Sequence, residues 1–337
     1  MTLGSLFDGI GGFPLAAARA GIRPVWASEI EKAPISITKR HFPEMEHLGD
    51  ITKISGAGIG PVDIITFGSP CQDLSVCGRR AGLRGSRSGL FLEAVRIIRE
   101  MRVATNNTRP AGIVWENVPG AFGTNNGKDF QTVIEEIAGL AEKGVSIPGP
   151  PGGWMAAGAV MGNGWSLAWR TLDARYRGVP QGRRRIFLVA DFAGGRAGEI
   201  LFKPEGGPGD YQDGGEKREG NAGNAEIGVA QYPLTDSGAV PFVCKGFGIY
   251  AREDVGRTLL AHQDNLWGDL IVTSNSVRGL TPTECERLQG YPDGWTAYGH
   301  DGREISDGQR FRALGNSVAV PCVQFVMDGM KTMNNYQ

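Results

Sequence analysis

The chain has 337 residues, enough for one large domain or two. Hydrophobic residues make up 41%, which supplies a sizeable core, and no run of about 18 apolar residues exists that would span a membrane. A formal charge of -1 neither points to a nucleic-acid partner nor excludes one, because local charge departs from the total. The five Cys (71, 77, 244, 285 and 322) are irregularly spaced and form neither a disulfide framework nor a zinc pattern, so no metal site is expected. Their odd number, with an N-terminus (Met1-Thr2-Leu3-Gly4-Ser5) lacking a basic n-region and an apolar h-region, predicts a cytoplasmic protein.

Leu3 to Phe7 reads as a first strand, followed by the Gly-rich turn Asp8-Gly9-Ile10-Gly11-Gly12-Phe13. Pro14 opens a helix through Ala20, with Gly21 as its stop. Pro24 to Ser28 is a second strand that ends at Glu29. Strand, Gly turn, helix, strand and acid is the layout of a nucleotide-type site: glycines let backbone approach a ligand, and an acid about 20 residues on holds ribose hydroxyls. The spacing is G-x-G-G rather than G-x-G-x-x-G, which suits a nucleoside without phosphates. A purely structural Gly turn accounts for it equally well. Asp50, after the next helical stretch, is placed either to accept from an adenine amino group or to act as an N-cap for the segment after it.

Val62 to Phe67 is a short apolar run rich in β-branched residues, bounded by Gly60-Pro61 and Gly68-Ser69, and predicts a buried parallel strand. Just past its carboxyl end comes Pro70-Cys71-Gln72. Ligands of open α/β sheets bind in that crevice, and a thiol there is a candidate nucleophile, although a lone Cys is more often buried and inert. Seven arginines between Arg79 and Arg102 face only Glu93 and Glu100. Ser75 to Ser88 predicts a mobile basic loop suited to phosphate contact, and Leu90 to Met101 a helix. Most basic runs are simply solvated surface; the position beside Cys71 argues otherwise.

Gly112 to Trp115 is another strand, ending in Glu116-Asn117-Val118, where a buried Glu is a candidate acid. A structural salt bridge is the competing account. Phe130 to Leu140 is an amphipathic helix, and Pro148 to Gly153 a loop. Trp165 to Leu172 and Arg185 to Ala190 read as an antiparallel pair at the far edge of the sheet. Between them, Gln181-Gly182-Arg183-Arg184-Arg185 sets guanidinium forks at the mouth of the crevice. Residues 193–228 turn Gly-rich and polar, and 229–277 are irregular with short β-like pieces. Thr281 to Leu288 is a helix with a capped start, and Ala313 to Pro321 leads into an apolar C-terminal helix through Met330.

Taken together and in order, six segments resemble the DNA (cytosine-5) methyltransferase family of bacterial or phage type. They are Phe7 to Phe13, Pro70-Cys71-Gln72, Glu116-Asn117-Val118, Gln181 to Arg185, Arg278 to Pro292, and Gly315-Asn316-Ser317-Val318. The resemblance covers everything except about 193–277. It implies a Rossmann-like α/β sheet for S-adenosylmethionine-dependent methyl transfer, with a small, loop-rich target-recognition domain. The domains expected are a catalytic and cofactor-binding domain (1–190), a recognition domain (191–312), and a C-terminal helix (313–337) returning to the first. S-adenosyl-L-methionine is the implied cofactor, lined by Phe7, Gly9, Ile10, Gly12, Glu29, Ile30, Asp50, Ile51, Pro70, Leu90, Asn316 and Ser317.

The resemblance also implies the chemistry. Cys71 adds to carbon 6 of a cytosine flipped out of duplex DNA, which makes carbon 5 nucleophilic toward the methyl group. Glu116 serves ring nitrogen 3, and Arg185 the carbonyl oxygen, with Arg183 close by. Gln72, Ser75, Arg79, Arg80, Arg84, Arg252 and Arg257 are the expected DNA contacts. The expected partners are double-stranded DNA and a cognate restriction endonuclease, with the protein itself a monomer. The rivals are a transfer-RNA cytosine-5 methyltransferase, a non-catalytic DNA-binding relative, and a dinucleotide oxidoreductase with an active Cys.

Overall fold

The computed structural model describes residues 1–69, 89–203, 240–246, 249–252, 255–259, 269–272 and 277–334. In chain order these form β1 (Thr2–Leu6), α1 (Gly12–Arg19), β2 (Arg23–Ser28), α2 (Lys32–His41), β3 (Glu46–His47), β4 (Ile64–Phe67), α3 (Leu90–Ala104), β5 (Gly112–Asn117), α4 (Lys128–Ala138), β6 (Ala157–Met161), β7 (Ser166–Asp173), β8 (Gln181–Gly182), β9 (Arg184–Asp191) and α5 (Ala197–Leu201). There follow β10 (Val240–Gly246), β11 (Ile249–Arg252), β12 (Gly256–Arg257), β13 (Leu270–Val272), β14 (Val277–Gly279), α6 (Pro282–Gln289), α7 (Asp307–Asn316) and α8 (Val320–Met330).

Eight strands make one sheet in the order β3-β2-β1-β4-β5-β9-β7-β6. The first five run parallel, and β9, β7 and β6 add an antiparallel wing. Side chains alternate across it as a two-residue period demands. Ile64, Val114, Phe187 and Val189 face a core shared with α1, α5 and α8. Ile65, Phe67, Ile113, Trp115 and Leu188 face the other, shared with α3 and α4. This is the doubly wound α/β layout expected from the sequence. From β1 the chain winds outward to β2 and β3, then returns to start β4 on the other side of β1. The switch point, where such sheets bind ligands, therefore lies between β1 and β4.

Two details differ from the sequence reading. The antiparallel pair β7 and β9 is not at the edge: β6 lies beyond β7. Its residues, Ala157-Gly158-Ala159-Val160-Met161, are mostly poor β-formers and carry no polar alternation. Gly158 is there for space, since a Cβ would come 2.2 Å from the Trp169 ring. The C-terminal region, moreover, is two helices. α7 ends at Asn316, Ser317 to Ala319 are extended or irregular, and α8 then packs on α1 and α5. That packing brings the end of the chain against α1, in its first half.

Within 191–312 the described residues divide. β10, β11, β13 and β14 form a separate four-stranded antiparallel sheet, and β12 pairs with β8. Leu259, Cys285, Leu288, Tyr291 and Trp295 instead join the core on the α1 face of the large sheet. α6 begins with the expected capping box: Thr281 Oγ1 accepts from the Glu284 amide, and the Glu284 carboxylate accepts from Thr281 N at 2.7 Å. No helix among the described residues is long and apolar enough to cross a membrane.

Candidate active site

A cavity of about 510 Å³ opens at the carboxyl ends of β1, β2, β4 and β5. Its floor is the Gly turn. Phe7 (φ 55), Gly9 (φ 59) and Gly11 (φ 82) take left-handed backbone conformations, costly for Phe7 and cheap for the glycines. The Glu29 carboxylate fixes this turn against the next loop. It accepts from Gly9 N at 2.9 Å and from Ile30 N and Glu31 N at 2.7 and 3.0 Å. Ile30 projects from the wall with 68% of its surface exposed, an unusual state for Ile beside a cavity. Asp50 acts as an N-cap, Oδ1 accepting from Thr52 N, and it also lines the cavity.

The other end of the cavity is polar. Glu116 and Arg185 sit on neighbouring strands with Nε and Oε1 3.1 Å apart, both largely buried. Burial pushes the Glu116 carboxyl up, and the guanidinium groups of Arg185 and Arg183 only partly offset this. Gly68 leaves room for the acid: a Cβ there would come 3.2 Å from Glu116 Oε2. Asn117 Nδ2 donates to the Ser69 carbonyl at 3.1 Å, and Trp115 Nε1 to Ser69 Oγ at 3.3 Å. The chain is thus gripped two residues before Cys71. Cys71 itself, with Pro70, Gln72, Ser75, Arg79, Arg80 and Arg84, lies outside the described residues. Cys285 and Cys322 are buried thiols pushed up to about 12, so neither supplies a thiolate at neutral pH.

Of the residues expected around a cofactor, Phe7, Gly9, Glu29, Ile30, Asp50, Ile51, Leu90 and Asn316 all line this one cavity. Ile10, Gly12 and Ser317 do not; they lie beneath it. The Ile10 carbonyl accepts from Trp295 Nε1 at 2.8 Å. A Cβ on Gly12 would come 2.5 Å from the Tyr291 hydroxyl, which is hydrogen-bonded to Ser317 Oγ. Arg183 borders the cavity, but its Nη1 and Nη2 donate to three main-chain carbonyls, while its buried Nε meets no partner among the described residues. Arg257 is held by Asp269, to which it donates from N at 2.7 Å and from Nε at 2.9 Å. Arg252 is exposed at the end of β11.

The sequence reading missed Asp8. It is buried directly under the turn and raised to about 7, by burial first and by the Glu29 charge as well. The Ser5 and Thr38 hydroxyls pull the other way, yet neither Asp8 oxygen makes a well-formed hydrogen bond among the described residues. Its only sequence signal was an acid inside an otherwise apolar turn.

The family model for C-5 cytosine-specific DNA methylases matches residues 1–141 and 243–332, most of the chain. The chain belongs to this family. Among curated relatives it is 25% identical to the type II methyltransferase M.HhaI of Haemophilus parahaemolyticus, covering 98% of this chain and 94% of that one. It is 26% identical to a phage P1 protein named as a DNA N-6-adenine-methyltransferase, over 96% of this chain but only 60% of that longer protein. Among solved structures, the Dnmt2 methyltransferase of S. pombe matches with a TM-score of 0.65 at 18% identity, over 99% of both chains; this likeness is one of fold. The family uses S-adenosyl-L-methionine. The cavity suits it: a carboxylate at the turn for hydroxyls, and an apolar wall of Ile30, Ile51, Leu90 and Phe7 for a flat base.

Proposed function

We propose that the chain methylates carbon 5 of a cytosine flipped out of duplex DNA, with S-adenosyl-L-methionine as donor. The observation that carries this reading is the buried Glu116–Arg185 pair, set in the same cavity as the Glu29 turn and next to the strand that leads to Cys71. Glu29 would hold the ribose hydroxyls, with Asp50 and Ile51 beside the adenine and Pro70, Leu90 and Asn316 closing the site. When bound, the cofactor supplies an electrophilic methyl group.

The chain's own residues do the rest. The Cys71 thiolate adds to carbon 6 of the ring. Glu116, whose hold on a proton burial strengthens, donates at ring nitrogen 3 so that charge does not build on the ring. Arg185 holds the ring carbonyl oxygen and fixes the orientation of Glu116. Once carbon 5 has taken the methyl group, the ring nitrogen 3 proton returns to Glu116, water acting as base takes the carbon 5 proton, and the carbon 6–sulfur bond breaks to release the Cys71 thiolate and the product. The segment from Gln72 to Ser88, including Ser75, Arg79, Arg80 and Arg84, would contact the DNA, and Arg252 the recognition sequence. Arg257, held by Asp269, would act through main-chain placement or phosphate contact. Residues 191–312 would carry target choice, and 1–190 with 313–337 the chemistry. A monomer acting on DNA, alongside a cognate endonuclease, completes the proposal.

The test is Cys71→Ala. The variant is expected to bind S-adenosyl-L-homocysteine and DNA like the wild type and to lose methyl transfer. Appreciable turnover would remove the covalent mechanism.

A further inference from the structure

Arg183 is nearly fully buried, yet no carboxylate pairs with it among the described residues. Its guanidinium donates from Nη1 to the Leu259 carbonyl at 3.1 Å, and from Nη2 to the carbonyls of Gly315 (3.2 Å) and Ser317. These acceptors lie 76, 132 and 134 residues away. Leu259 follows β12, the strand that joins residues 255–259 to β8. Gly315 and Ser317 flank Asn316, which lines the cofactor cavity. Gly315 and Ser317 also stand at the C-terminal end of α7, where the helix dipole favours a cation. Burial above all, with Arg185 adding, pulls the guanidinium down to about 9; it is still charged at neutral pH.

A buried cation whose Nη groups bond three carbonyls, with Nε already unpartnered among the described residues, is costly unless all three stay in place. Moving Leu259 strains the bonds to Gly315 and Ser317, and the reverse holds too. We propose that Arg183 is a positioning residue that couples the recognition region to the cofactor cavity, through Leu259, where the segment after β12 enters the large-sheet core, and through Asn316. This rests on the reading of the site given above. The consequence is reciprocal: DNA held by the recognition region tightens cofactor binding, and cofactor tightens DNA binding by the same factor.

The coupling is measured by equilibrium dialysis of labelled S-adenosyl-L-homocysteine, with and without sheared unmethylated bacterial genomic DNA. For the wild type a gain of about fivefold or more on adding DNA is expected, the low end of typical couplings. Arg183→Met should bring that gain to about one, and Arg183→Lys, which keeps the charge but not the fork, should fall between. In steady state Arg183→Met should raise KM for S-adenosylmethionine more than it lowers kcat. Thr258→Val is the second variant, in case Arg183→Met does not fold. It removes the Thr258 hydroxyl's bond to the Gly182 carbonyl, the neighbouring tether of the same segment, and should lower the gain as well.

A wild-type affinity unchanged by DNA would overturn the inference. So would full coupling in Arg183→Met, or a loss confined to kcat, which would make Arg183 a direct contact of the base. No binding of S-adenosyl-L-homocysteine by the wild type would remove the underlying reading, and the inference with it.

Discussion

Replacing Ile30 with Ala takes three carbons off the cavity wall where a flat base would lie. Those carbons, at about 0.8 kcal/mol each and scaled by the 68% of Ile30 that is exposed, put the loss at no more than about 1.6 kcal/mol. At about 1.4 kcal/mol per decade, that is about fifteenfold in Kd, or about fourfold if the ligand covers one side of the residue only. Folding should hardly notice, because an exposed side chain contributes within about 0.5 kcal/mol. Isothermal titration with S-adenosyl-L-homocysteine reads the first effect and urea unfolding the second. A Kd within about twofold of the wild type would refute the placement of the adenine on this wall. A loss of stability as large as the loss of binding would show that Ile30 packs internally instead.

Asp8→Asn tests the acid under the turn. The folded pKa of Asp8 lies above its unfolded value, so its contribution is intact below about pH 4 and lost as pH climbs through about 7. Between pH 5 and pH 8 the variant should therefore gain about 2–3 kcal/mol on the wild type in urea unfolding; parallel pH profiles would contradict this. Glu116→Gln should lower methyl transfer by about two to four orders of magnitude while leaving S-adenosyl-L-homocysteine binding nearly unchanged. Because burial raises the pKa of Glu116, wild-type transfer should fall on the alkaline side as the acid loses its proton, and the Gln variant should lack that limb. Transfer should also weaken steeply with added salt as phosphate contacts release counterions, and a flat response would count against the basic segment touching the backbone.

The parallel strands were legible because each is a short β-branched run that faces core on both sides, as Ile64, Ile65 and Phe67 do. The cavity was legible where its residues lie at the carboxyl ends of strands, as Phe7 and Glu29 do just past β1 and β2 and Glu116 does near the end of β5. Contacts made over long separations were not. Trp295 and Ile10 are 285 residues apart, and nothing local announces that one caps the other from below. The same holds for Gly12 and Ser317, which serve the packing of Tyr291 rather than the cavity. Arg183 and Arg185 look alike in sequence. Their fates part because Arg185 lies on β9 beside Glu116, whereas Arg183 precedes β9 and meets the end of α7. The β6 edge went unread because Ala and Gly carry little strand signal. Asp8 was passed over because a Gly turn draws attention to backbone rather than to the acid within it.

The account's central claim is tested most directly by transfer of labelled methyl from S-adenosylmethionine to unmethylated mixed-sequence duplex DNA. Transfer RNA is run alongside, and 5-methylcytosine is mapped at base resolution. The account predicts label in DNA only, at cytosines of one short sequence, and none with Cys71→Ala. Label in RNA with none in DNA, or methyl on adenine, would contradict it.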